Sequence, residues 1–334
     1  MTAITISQSW EIGAHTGFSG SIHDSLAERI SYGMYTTQFF LGNPKGFKRH
    51  QASSEDIERS RGLLRRFPLH VFTHFPYIAN LAGSVKSLAW HGDAEQDAKT
   101  NRVLAALEYE LGVVASLGCS EVSKRSGVVI HPGAYGAIPK RRVPRTGPIQ
   151  ATEDRTVGLL NIAKTINKIN FPPGSRLLLE NAAGQGRALA TEFTELKTIV
   201  EAVHPDKRSH LGVCVDTAHI FGYGSYDLRR VEEVDRMFEE FDAALGPSMF
   251  TLLHLNDTRM DEGKAGAPFG SCKDRHECIG QGHIWSKSPK SLLHLLALCK
   301  ERGIPIVLET TVADLITMSS LGKMCRTRKR EKKV

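Results

Sequence analysis

The chain has 334 residues, 41% hydrophobic and 24% charged, the balance of a globular protein rather than of a membrane or disulfide-rich one. No run of about 18 apolar residues occurs, so no membrane span is expected, and the opening MTAITISQSWEIG lacks the basic and then apolar build of a secretory leader. The net charge of +7 is local: residues 326–333 (RTRKREKK) carry +5 and residues 140–145 (KRRVPR) carry +4, which leaves the rest at −2, and such basic blocks favour polyanion partners.

In chain order, short apolar runs recur as strand candidates. They are WEIGAH ending at His15, MYTTQFF near Gln38, LHVFTH at His74, GVVIH at His131, RLLLE at Glu180, LGVCVD at Asp216, MFTLLHL with His254 near its end, and IPIVLE at Glu309. Residues 94–118, 191–203, 231–245 and 290–303 repeat their apolar positions at the helical period, and the last closes on a glycine stop signal at Gly303. Continuous apolar strands alternating with amphipathic helices predict a parallel sheet covered on both faces. Eight such units predict a single-domain α/β fold, a closed (β/α)8 TIM barrel over residues 1–322, with its active site at the C-terminal ends of the strands. An open doubly wound sheet is the alternative, but no G-x-G-x-x-G phosphate loop supports it.

Residues 134–155 form a Pro/Gly/Arg-rich loop of a length often tied to function. Residues 323–334 are expected to be a disordered basic tail, serving either solubility or a nuclear-import or nucleic-acid role. The six cysteines (119, 214, 272, 278, 299 and 325) form no C-x-x-C pair and are expected as reduced thiols of an intracellular protein. The spacing of Cys272 and Cys278 fits no common zinc pattern.

The strand ends share a chemistry. His74, His131, Glu180, Asp216 and Glu309 terminate runs, His254 sits just inside one, His219 follows Asp216 by a turn, and Asp274 and His276 follow the seventh strand. Taken singly, each has a structural reading: a hydrogen-bonded core histidine, or a helix cap at Glu180 or Asp216. Taken together, four carboxylates and five imidazoles at one barrel mouth repel one another unless divalent cations lie among them. The count suits three metals of about three protein ligands each, and a two-metal site with a bridging carboxylate also satisfies it.

The segments HFPYIANLA (74–82), HPG (131–133), ENAAGQG (180–186), GVCVDTAH (212–219), HLNDT (254–258), FGSCKDRHECIGQGHI (269–284) and LET (308–310) resemble, in order, the signature segments of the endonuclease IV family of DNA-repair enzymes. The resemblance runs from about Glu11 to Thr310. It implies an abasic-site endonuclease with three zinc ions, cutting double-stranded DNA 5′ to the lesion to leave a 3′-hydroxyl and a 5′-deoxyribose phosphate, with 3′-end trimming as a related activity. By matching positions it implies His74, His131 and Glu180 for one zinc, Glu180, Asp216, His254 and Glu309 for a second, and His219, Asp274 and His276 for a third. Glu180 would bridge and orient the attacking hydroxide, and Asp216 and His219 would serve as ligands to different zincs rather than as a helix cap. DNA contacts are expected from Tyr77 and Ile78, from Arg275, from Lys140, Arg141 and Arg142, and from Lys45. Lys45 stands where bacterial members place an inserting arginine and lacks the planar guanidinium. The chain departs from the usual bacterial form in its longer basic 134–155 loop, its short stretch after the last strand and its basic tail. A monomer without membrane contact is expected, working in the cytoplasm or nucleoid, the nucleus or a virion. Two rivals are a sugar-isomerase-like metal barrel and a non-catalytic DNA-binding protein with structural metals.

Overall fold

The computed structural model describes residues 11–83, 94–118, 125–135, 153–261 and 265–310. Lys140, Arg141 and Arg142, most of the 134–155 loop, Cys119, Cys325, the stretch after the last strand and the 323–334 tail lie outside the described residues.

Eight parallel strands close into a barrel: β1 (Ile12–His15), β2 (Thr36–Phe39), β3 (His70–His74), β4 (Gly127–Ile130), β5 (Leu177–Glu180), β6 (Leu211–Asp216), β7 (Phe250–His254) and, after a two-stranded antiparallel ribbon of β8 (Asp257–Thr258) and β9 (His276–Glu277), β10 (Ile306–Leu308). Each strand pairs with its sequence neighbour, β7 pairs with β10, and β10 closes on β1 through Ile12↔Ile306 and Ala14↔Leu308. The eight barrel strands are the eight apolar runs. They are short and buried along nearly their whole length, as parallel strands covered on both faces must be.

The helices are α1 (Ile22–Ser31), α2 (Ser54–Arg66), α3 (Ala94–Ser116), α4 (Glu153–Ile166), α5 (Phe193–Ala202), α6 (Pro205–Arg208), α7 (Thr217–Tyr223), α8 (Val231–Leu245) and α9 (Pro289–Glu301). α8 shows how the barrel wall is clad. It buries Val234, Met237, Phe238 and Phe241 on one stripe and sets Phe238 and Phe241 against Phe250 of β7, with ring centroids 5.3 and 4.8 Å apart. Each fully buried phenylalanine contributes roughly 1.5–3 kcal/mol by removal from water. α1 and α2, which periodicity did not single out, start from serine caps: Ser21 accepts from the Asp24 N–H and Ser53 from the Asp56 N–H. Their apolar stripes are narrow, with Ile22 and Leu26 the buried aliphatics of α1 and Leu64 that of α2. α4 corrects the expected loop boundary. The chain is already helical at Glu153, and Arg155 is buried against Glu195 and donates to Thr191 Oγ1 at 2.7 Å.

Inside the barrel, Phe72, Val129, Leu178, Cys214, Leu252 and Val307 form a separate, fully buried cluster, one residue from each of six strands. β1 approaches β2 so closely that a Cβ on Gly13 would lie 1.4 Å from the Thr36 carbonyl oxygen. That neighbour is backbone and cannot rotate away. Gly13→Ala is therefore expected to destabilise the fold by more than the roughly 1–3 kcal/mol of ordinary overpacking, read as a fall in the midpoint of chemical denaturation. No helix among the described residues is long and apolar enough to cross a membrane.

Candidate metal centre

Two residues beyond each member of the interior cluster stands a polar side chain. Phe72 is followed by His74, Val129 by His131, Leu178 by Glu180, Cys214 by Asp216, Leu252 by His254 and Val307 by Glu309. Alternate residues of a strand share a face, so the register that builds the apolar plug also delivers these six groups to the barrel mouth. His15 at the end of β1 and Gln38 in β2 complete a polar ring with one member from every barrel strand or from the residue just past its end.

Glu180 is the hub. Its Oε2 lies 3.1 Å from His74 Nε2 and 3.0 Å from His131 Nε2, and its Oε1 lies 3.0 Å from His254 Nδ1. His254 Nδ1 also lies 3.3 Å from Glu309 Oε2 and 3.8 Å from Asp216 Oδ2. A third set forms outside this pair: His276 Nε2 is 3.1 Å from Asp274 Oδ1 and 3.7 Å from Asp216 Oδ2, and His219 Nε2 is 3.4 Å from Asp274 Oδ2. All nine candidates from the strand-end constellation thus meet in three adjoining clusters, with Glu180 shared by the first two. Two atoms each about 2 Å from a tetrahedral zinc lie about 3.3 Å apart, and the distances in the three sets run from 3.0 to 3.8 Å around that value.

The histidines are wired to present a lone pair inward. His74 Nδ1 faces the Phe75 carbonyl oxygen at 2.7 Å and His219 Nδ1 that of Asn181 at 2.8 Å, so each ring donates there and leaves Nε2 for the site. The Nε2 atoms of His219 and His276 are buried with no hydrogen-bond partner, although carboxylate oxygens stand close by. Orphaned nitrogens aimed at acidic oxygens fit a shared cation better than a hydrogen-bonded core.

The electrostatics agree. Burial alone would push the Glu180 carboxyl up, but His131 and His254 outweigh it and hold it well below the usual range. Burial is likewise overcome at Glu309 by His254 and at Asp274 by His219. In return, against the effect of burial, Glu180 raises His131, Asp216 and Asp274 raise His219, and Asp274 with Asp216 lifts His276 to about 9. Without cations the cluster neutralises itself by holding protons on its imidazoles, and divalent ions would replace those protons.

Asp216 departs from expectation. It is the N-cap of α7, accepting the His219 N–H at Oδ1 (2.9 Å), and it also faces the centre through Oδ2. A carboxylate has two oxygens, so capping and ligation coexist. Several residues outside the expected set serve the site. Asn256 Nδ2 donates to Asp216 Oδ2 (2.6 Å) and Glu309 Oε2 (3.1 Å). Asn181 Oδ1 accepts the Asp216 N–H at 2.7 Å. Asp257 accepts five backbone N–H groups, from Thr258, Gly280, Gly282, Ile284 and Trp285, and so shapes the loop beyond His276. Asn181, Asn256 and Asp257 each lie beside a ligand in ENAAGQG or HLNDT, the signal that could have found them.

Among the DNA-contact candidates, Tyr77 and Ile78 stand half exposed at the rim, and the Tyr77 N–H donates to the Pro44 carbonyl at 3.1 Å, which ties their loop to the one carrying Lys45. Lys45 and Arg275 are exposed. A cavity of about 450 Å3, lined by His15, Phe40, Pro44, Tyr77, His276 and Glu309, opens between the rim and the acidic cluster. The loop under Lys45 is pinned by Arg49, which donates to the Asn43 carbonyl at 2.9 Å and pairs with the buried Glu110 at 3.5 Å. Cys214, whose thiol burial pushes up to about 12, belongs to the apolar layer beneath the centre.

A family model described as a xylose isomerase-like TIM barrel matches residues 27–314. Probable endonuclease 4 of Nitrosopumilus maritimus is 30% identical over 307 residues, covering 91% of this chain and 94% of that protein. Probable endonuclease 4 of Nitratidesulfovibrio vulgaris is 31% identical over 306 residues, with 90% and 92% covered. The chain belongs to the endonuclease IV family. Membership makes it a nuclease, and so a hydrolase, and the clustered His, Asp and Glu side chains supply the sites for its metal dependence. Endonuclease IV from Thermus thermophilus superposes with a TM-score of 0.69 at 23% identity, covering 94% of this chain and 99% of that one. A D-tagatose 3-epimerase-like protein superposes at 0.60 with 18% identity and 97% of this chain covered. These superpositions establish the shared barrel; the sequence relatives separate endonuclease IV from the sugar-isomerase reading.

Proposed function

We propose that the chain incises double-stranded DNA at abasic sites, hydrolysing the phosphodiester 5′ to the lesion to leave a 3′-hydroxyl and a 5′-deoxyribose phosphate, and that the same centre trims blocked 3′ ends. The observation that carries this reading is the set of adjoining ligand clusters at one barrel mouth, two of them sharing Glu180 and a third formed by Asp274 with His219 and His276. His74, His131 and Glu180 would hold the first zinc, Glu180, Asp216, His254 and Glu309 the second, and His219, Asp274 and His276 the third. Divalent ions so held supply Lewis acidity to the phosphodiester and to the attacking water.

The chain's own residues do the rest. Glu180, facing two clusters through its two oxygens, would orient the nucleophile. Tyr77 and Ile78, half exposed beside the cavity, suit a wedge that enters the duplex, and a sugar without a base costs less to extrude and fits where a full nucleotide does not. Lys45, Arg275, Lys140, Arg141, Arg142 and the 323–334 tail would contact phosphates, supplying charge that a net-negative body lacks. Residues 1–322 would then be the working barrel, active as a monomer.

The test is a duplex bearing one synthetic abasic site, incubated without added magnesium, with and without a chelator. Chelator-sensitive cleavage 5′ to the lesion is expected, together with three zinc ions per chain. Retention of the duplex uncut at protein excess would favour the non-catalytic binder, and two metals with no cleavage the sugar-isomerase reading.

A further inference from the structure

Gln38 is fully buried, lies in β2, and belongs to none of the three ligand clusters. Its carboxamide nevertheless touches two ligands of the second. Nε2 lies 2.9 Å from Glu309 Oε1 and 2.9 Å from His15 Nδ1, and Oε1 lies 2.9 Å from His254 Nε2.

Chemistry fixes which way these bonds run. An ionised carboxylate only accepts, so the amide nitrogen must face Glu309 and the amide oxygen must face His254. The two N–H groups of Gln38 then go to Glu309 and to His15 Nδ1. The oxygen takes the proton of His254 Nε2, so that in the neutral ring a bound cation requires, Nδ1 is the nitrogen left with the lone pair. That atom is the one standing 3.0 Å from Glu180 Oε1 and 3.3 Å from Glu309 Oε2. With Oε1 of Glu309 engaged, Oε2 is the oxygen left facing the cluster. Asn256 acts from the other side, gripping Asp216 and the same Glu309.

We propose that Gln38, backed by His15, is a positioning residue for the second metal. It sets the tautomer of His254 and the rotamer of Glu309 so that both aim at one point. The inference rests on the metal reading above and adds to it two residues that contact no metal themselves. Loss of such outer partners typically weakens metal affinity by about 10–100-fold.

The experiment counts and ranks zinc. Zinc-loaded protein is titrated with a chromophoric chelator, comparing wild type, Gln38→Met, which keeps the shape and loses the amide, and Gln38→Glu, which keeps the acceptor for His254 but sets an anion against Glu309. Wild type is expected to hold three ions. Each variant should release one ion about 10–100 times more readily and hold the other two as tightly as wild type. Gln38→Glu also serves if the methionine variant fails to fold. Wild-type affinity for all three ions in either folded variant would overturn the proposal, as would parallel loosening of all three, the mark of a merely structural glutamine. Fewer than three ions in wild type would instead refute the metal reading itself.

Discussion

Glu180→Gln should reduce incision of an abasic-site duplex by at least about 10³-fold, beyond the 10–100-fold expected for loss of an outer partner. The substitution keeps the volume of the side chain and removes its charge. Glu180 is the residue on which the first two clusters converge, with three imidazoles within 3.1 Å of its oxygens. Its loss therefore weakens two sites at once, and the zinc count should drop from three to about one per chain. The half-exposed Tyr77 and Ile78 and the exposed Lys45 lie on other loops, so affinity for the uncut duplex should stay within about tenfold of wild type, about 1.4 kcal/mol. A single-turnover assay beside metal analysis reads both. Unimpaired cutting by the Glu180→Gln protein would remove this carboxylate from the mechanism.

Metal removal should have the second large effect. Stripping the protein is expected to abolish incision and to lower the melting temperature by more than about 10 °C, since each tightly held ion adds several kcal/mol to the folded state. Zinc should restore both, and magnesium, which favours oxygen ligands over imidazole, should not. The stripped protein should also answer to pH in a defined direction. The folded pKa of His276 is raised from 6.5 to about 9. Its contribution is therefore fully present below about pH 6.5 and is lost as pH rises through about 9. The lowered Glu180, Asp274 and Glu309 act in the opposite sense, stabilising above the ordinary carboxylate range and losing that effect in acid. In the zinc-loaded protein the alkaline loss should vanish, because the ions need unprotonated imidazoles and gain affinity as pH rises. Thermal melts from pH 6 to 9.5, with and without zinc, check this, and identical curves for the two forms would contradict it.

The barrel and six of the nine acidic and imidazole groups are legible from sequence because one physical rule writes both; His219, Asp274 and His276 lie beyond the strand ends. Buried parallel strands leave continuous apolar runs, and ionisable residues at their ends are costly enough to stand out. What escapes is whatever that rule does not mark. α1 and α2 bury narrow stripes, and the β8–β9 ribbon is two residues long on each side, too short for any period to show. His15 ends its run and Gln38 sits just inside its own, but an amide is not a usual zinc ligand and a lone histidine is commonplace. Asp216 reads as either cap or ligand, and only the placement of its two oxygens shows that it faces both ways. Asp257 carries no such mark, and the five N–H groups it accepts come from chain one to 28 residues onward.

The closure of β10 on β1 has a consequence in time. Gln38 and Glu309 meet across 271 residues of sequence, and Glu309 arrives only with the last strand. During synthesis every other arm of the centre leaves the ribosome before it. A growing chain, or one broken off before residue 309, carries most of the candidate metal ligands but lacks Glu309, which would complete the second cluster. Completion of the second ligand cluster therefore waits on the pairing of β10 with β1.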